Sequence, residues 1–156
     1  MKRSALLCLL LVFLSSCLPK GELTDADRSR IEQEILSLHQ KITDAAEKTD
    51  AEAMFADILD NEGVIIQNGL FHKSRQAALD YVKAGFGSID TIDYQFDRQI
   101  VEVLSPDKAL LKGSGTSTVL TNNGAEFTTS FCETAVYTLT PDGWKLLHAH
   151  HSTPAR

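Results

Sequence analysis

From Thr24 the apolar positions Ile31, Ile35, Leu38, Ile42 and Ala45 or Ala46 recur at helical spacing, while Arg28, Arg30, Glu32, Glu34 and Lys41 fall mostly between them. That pattern predicts an amphipathic helix with one buried stripe. Thr24 is its N-cap, and Asp25 and Asp27 sit near the positive end of the helix. Thr49 with Glu52 reads as a capping box opening a second, shorter helix to about Leu59, with Met54 or Phe55 and Ile58 or Leu59 on its inner side. Asp60-Asn61-Glu62-Gly63 ends it. Val64 to Gln67 then reads as a short strand, and Asn68-Gly69 as a hairpin turn into Leu70-Phe71-His72. Ser74 caps a third helix to about Phe86, whose inner positions are Ala78, Leu79, Val82 and Phe86.

From Ile89 the period changes to two. Tyr94–Leu104, Ala109–Thr121, Glu126–Thr140 and Trp144–Ser152 read as long strands joined by Ser105-Pro106-Asp107-Lys108, Asn122-Asn123-Gly124 and Pro141-Asp142-Gly143. Connectors this short make neighbours antiparallel. Three helices followed by a meander is an α+β pattern: a curved, mainly antiparallel sheet with helices closing one face. Strict alternation along the last strand puts Trp144, Leu146, His148, His150 and Ser152 on one face, and Lys145, Leu147, Ala149 and His151 on the other.

The N-terminus changes the compartment. Met1-Lys2-Arg3, an apolar run from Ala5 to Leu14 and Leu14-Ser15-Ser16-Cys17 make a secretory signal over 1–16. The apolar run is too short to span a bilayer, which takes roughly 20 residues. Leu-Ser-Ser-Cys resembles the bacterial lipobox, so Cys17 is the expected lipidation site, 17–23 a short tether and 24–156 the folded domain. That places the chain in the bacterial cell envelope, held to the membrane by lipid on Cys17. Leu18 resembles sorting to the periplasmic face of the outer membrane in a Gram-negative cell. Losing Lys2 and Arg3 with the signal moves the formal charge from −6 to −8. An acidic domain without a basic cluster argues against nucleic acid as a partner. Cys132 is left as one thiol, expected to be packed as a small apolar side chain, and no internal disulfide is available.

The element order, ending in Gly143-Trp144-Lys145-Leu146-Leu147-His148-Ala149-His150-His151-Ser152, resembles the nuclear transport factor 2-like superfamily. Within it the chain is similar to SnoaL-like domains and to the calcium/calmodulin-dependent kinase II association domain. Glu133-Thr134-Ala135-Val136-Tyr137, Asp142-Gly143 and Trp144 through Ser152 carry that similarity. The resemblance implies a cone with a pocket at its open end and an oligomer, here a homodimer, formed through the outer sheet face. Arginines that line the association-domain pocket correspond to Gly115, Ala135 and His151 here, which implies a roomier, less basic cavity and argues against a small carboxylate ligand. Glu133, Ala135 and Tyr137 on one strand, with Leu147 and His151 on the next, are expected to face inward. Gly113, Gly115 and Ser117 supply small residues to the wall.

Related isomerases use a carboxylate base near the position of Asn68, which cannot take up a proton, and no tyrosine lies on the inner stripe of the first helix. A replacement set is His151 as acid/base, Glu133 orienting it and Tyr137 donating to substrate; the structural alternative is a buried Glu133–His151 pair with Tyr137 as wall. His148 and His150 lack a third ligand for zinc, so no metal or cofactor is expected. His39 is expected at the core edge and His72 at the surface. Three functions stand open. The first is a membrane-anchored module that binds a small, largely apolar molecule through His151, Tyr137, Glu133, Gly115, Ser117, Ala135 and Leu147. The second is a SnoaL-like isomerase, cyclase or hydratase using His151. The third is an oligomeric scaffold.

Overall fold

A computed structural model of the protein describes residues 23–61 and 63–154. The expected signal and the lipidated Cys17 lie outside the described residues; of the tether only Leu23 is described, packed against the core. Helix α1 (Asp25–Glu47) starts at the predicted cap, where Thr24 and Asp27 satisfy each other's backbone amides. Helix α2 (Ala51–Phe55) is shorter than the sequence suggests and is capped by Asp50, whose carboxylate accepts from the Ala53 amide. Thr49 instead takes a left-handed φ of 53° in the turn between the helices, and Glu52 pairs with Lys83. After β1 (Ile65–Gln67) and β2 (Leu70–Phe71) comes α3 (Arg75–Phe86), capped by Ser74. Strands β3 (Ile89–Ser105), β4 (Lys108–Thr121), β5 (Glu126–Thr140) and β6 (Gly143–Ser152) follow.

The six strands form one sheet in the order β2-β1-β6-β5-β4-β3. Every pairing is antiparallel except β1 with β6, so the early hairpin docks alongside the final strand. The expected α+β cone is the observed fold: helices pack on one face of an open, curved sheet. Bulges bend the long β3 at Ile89/Thr91, Phe96/Arg98 and Val103/Ser105. Beside the second of these, a Cβ on Gly115 would stand 2.1 Å from the Gln95 carbonyl oxygen. Only glycine allows the two backbones to close up there. Ile31, Ile35, Phe55, Val64, Leu111 and Tyr137 are the largest fully buried side chains.

A further bulge changes the phase of β6. Val136 pairs with His148 but Tyr137 pairs with Leu146, which leaves Leu147 as the extra residue. Strict alternation therefore fails at this point. Leu146 faces the core, and beyond the bulge Ala149 and His151 face the same way.

Candidate functional site

At the end of the cone where α1 finishes, the helices and sheet do not fill the space between them. A cavity of about 130 Å³ remains. Its walls are largely apolar, and the polar groups reaching it are His39, Thr43, Gln67, Glu133, His151 and the hydroxyls of Tyr94 and Tyr137. Among the described lining residues there is one carboxylate and no Lys or Arg.

His39 lies on the inner stripe of α1, four residues beyond Ile35, and is buried. Its Nδ1 is 2.8 Å from the Tyr137 hydroxyl, and its Nε2 is 2.8 Å from Glu133 Oε1. The second contact is close but meets no hydrogen-bond geometry among the described residues. With a ring proton on Nε2 facing the carboxylate, His39 accepts from the Tyr137 hydroxyl at Nδ1. Glu133 reaches this position because its β4 neighbour is Gly113, where a Cβ would come within 2.9 Å of the carboxylate. Burial, reinforced by the Glu133 charge, pushes the Tyr137 phenol well above its ordinary range. Tyr94 is pushed up by burial and then by Glu133 and Glu47.

His151 enters from β6 opposite Glu133. Its ring stacks on Phe131 with centroids 5.3 Å apart, and among the described residues neither ring nitrogen has a hydrogen-bond partner. Burial holds its pKa below the ordinary 6.5; Glu133 works against that shift and His150 with it. It is therefore neutral at pH 7.

The structure brings His151, Glu133, Tyr137 and Ala135 together at the cavity, and it leaves three of the expected residues out of the lining. The β6 bulge substitutes Leu146 for Leu147. Gly115 pairs with Phe96 and Phe131, whose rings make the wall at its level. Ser117 is buried beside Tyr94, and the tyrosine lines the cavity in its place. The small residues thus shape the sheet rather than widen the pocket. Glu133 is nearer His39 than the expected His151, and so does not orient the His151 ring. The sequence reading placed His39 at the core edge, where it is, but gave it no part in the site with Glu133 and Tyr137.

The remaining candidates lie elsewhere. Asn68, at φ 49°, holds the Thr153 amide and hydroxyl from an exposed turn. His148 Nδ1 is 2.8 Å from the Gly63 carbonyl oxygen, and His150 is exposed. Contrary to expectation His72 is buried, with its ring beside Tyr81, and Cys132 is exposed, because its strand position turns it to the outer face. Among the described residues no cluster of three or more His, Cys, Asp or Glu is placed to hold a metal.

A SnoaL-like domain model matches residues 35–156, which include every wall of the cavity. The chain belongs to the SnoaL-like family. Solved structures give this SnoaL-like protein a nuclear transport factor 2-like fold. A nuclear transport factor 2-like superfamily protein from Salmonella enterica superposes with a TM-score of 0.72 at 18% identity, covering 83% of this chain and 94% of that one. A calcium/calmodulin-dependent protein kinase II association-domain-like protein from Xanthomonas campestris gives 0.69 at 18% identity, with 80% and 88% covered. The hexachlorocyclohexane dehydrochlorinase LinA-type3 from Novosphingobium barchaimii gives 0.72 at 16% identity, with 85% and 92% covered. No curated protein matches the chain.

Proposed function

We propose that this SnoaL-like domain binds a small, largely apolar molecule in the cone cavity. One observation carries this reading: His151, with two unpartnered ring nitrogens, lines an otherwise mainly apolar hollow. Leaving a buried polar group unpaired costs roughly 1–3 kcal/mol, and a ligand bearing a hydrogen-bonding group would recover it. A cavity near 150 Å³ can hold benzene, so about 130 Å³ suits a ligand of about six heavy atoms. Native mass spectrometry of protein purified from its own cell tests this: a co-purifying small molecule that His151→Phe excludes is expected, and an empty, inert cavity would end the reading.

The chain would work at the cell envelope, anchored through lipid on Cys17. Support comes from Leu14-Ser15-Ser16-Cys17, and release of Cys17→Ser from the membrane fraction tests it. Pairing as a homodimer would use the outer sheet face, whose adjacent rows carry Thr116 with Ser130 and Thr118 with Thr128. Monomeric behaviour at high concentration would refute that assembly.

Proton transfer by His151 is the second reading. It is favoured by a neutral imidazole free to accept a proton and by the dehydrochlorinase among the structural relatives. The cavity offers little to the carbanion such a step leaves behind. Glu133 is anionic, and the Tyr137 hydroxyl is already engaged with His39. Binding without turnover fits these groups better. Undiminished turnover of any substrate by His151→Ala would rule out the catalytic role.

A further inference from the structure

Resting on the cavity as a binding site, the geometry points to a small organic cation, such as a methylated ammonium, as its ligand class. Three features converge on this. Glu133 is the one carboxylate among the described lining residues, and no Lys or Arg balances it. It is mostly buried, at 14% side-chain exposure, so its field acts through protein more than through water. His39 lies against Oε1, and that oxygen accepts no hydrogen bond among the described residues.

The aromatic arrangement is the second feature. Phe131 stands nearly perpendicular to Tyr94, at 83° and 5.7 Å, and to Phe96, at 89° and 5.3 Å. All three rings line the cavity, and the Tyr137 ring closes it further in. Each pair meets edge to face, and the His151 ring lies flat against Phe131, so the rings make one continuous aromatic wall. Ring faces carry negative charge and attract a desolvated cation with about 2 kcal/mol or more. An alkylammonium gives up its hydration more readily than a compact ion, so an aromatic wall beside a carboxylate favours it over a metal.

The third feature is what the cavity rejects. A carboxylate ligand would meet Glu133 with no guanidinium or ammonium group to receive it, and the neutral His151 adds no fixed positive charge. A neutral apolar ligand fits the walls but leaves the carboxylate with only His39 beside it.

Three nearly isosteric probes separate these cases: choline, the uncharged 3,3-dimethylbutanol and the anionic 3,3-dimethylbutanoate. Titration calorimetry on the full-length protein should show choline binding roughly tenfold or more tighter than the alcohol, with the carboxylate weakest. Glu133→Gln should erase the preference for charge. Phe131→Leu should weaken choline more than the alcohol, which keeps the test open if the first variant does not fold. Equal or tighter binding of the alcohol overturns the cation inference and leaves the cavity as a binding site. Failure of all three probes to bind, with no co-purifying molecule, overturns both. Phosphatidylcholine vesicles distinguish the source of the group: vesicle association that free choline displaces assigns a lipid headgroup, and its absence with choline bound assigns a soluble cation.

Discussion

Helix α1 crosses the same sheet with two different halves. Along the first, Ile31 and Ile35 are fully buried in one cluster with Phe55, Val64, Ala109 and Leu111, and the space is filled by branched and aromatic side chains. Along the second, His39, Ile42, Thr43 and Ala46 face a hollow, and the buried groups are an imidazole, a carboxylate and a phenol. One helix therefore stabilises the fold at its N-terminal end and presents chemistry at its C-terminal end. Apolar burial at the first end offsets the cost of desolvated polar groups at the second.

The contrast predicts unequal costs for equal truncations. Ile35→Ala should destabilise by about 2–5 kcal/mol, because a filled site cannot collapse around the loss. Ile42→Ala, at a wall that is already open, should cost well under half of that in urea unfolding. Equal losses would show that the two ends are packed alike. Next in size, Tyr137→Phe removes the hydroxyl that His39 Nδ1 faces and should cost about 1–3 kcal/mol. No measurable loss would mean that this contact is idle. His151→Leu should go the other way. It removes no hydrogen bond and should raise stability by up to about 1 kcal/mol while lowering affinity for any cavity ligand.

The smallest effect is on pH dependence. The folded-state pKa of His151 is lowered, so between that value and about 6.5 the unfolded chain binds more protons than the folded one. Stability should therefore fall as pH drops below about 6.5 and level off once pH passes below the folded value. Glu133 opposes the shift and His150 adds to it. His151→Leu should lose this part of the acid slope, with the slope from carboxylates retained. Identical slopes in the two proteins would place the His151 ring in water.

The architecture was legible because it rests on periodicity. The α1 stripe, the Ser74 cap and the change to period two at β3 each follow from local sequence. The site was legible only where alternation held without interruption. Glu133, Ala135 and Tyr137 lie on a stretch of β5 that keeps its phase, and all three line the cavity. Leu147 was misplaced because a bulge leaves no mark in the side-chain pattern. Gly115 was read as empty space because a glycine in sequence looks the same whether its missing Cβ faces a ligand or a neighbouring carbonyl. His39 was visible in principle. Its spacing from Ile35 put it on the buried stripe, and a polar residue there asks for partners, but those partners lie 94 and 98 positions away on β5.

The sheet order has a consequence for how the hollow comes into being. β6 follows every other strand in the chain, yet it lies between β1 and β5. Until it inserts, the β1–β2 hairpin has no strand to join and β5 carries an open edge, two surfaces prone to pairing with the wrong chain. A chain ending before Gly143 would lack the strand that joins these two edges and so could not enclose the chamber. Receptivity therefore depends on the last strand to leave the ribosome, which carries His151 into the wall.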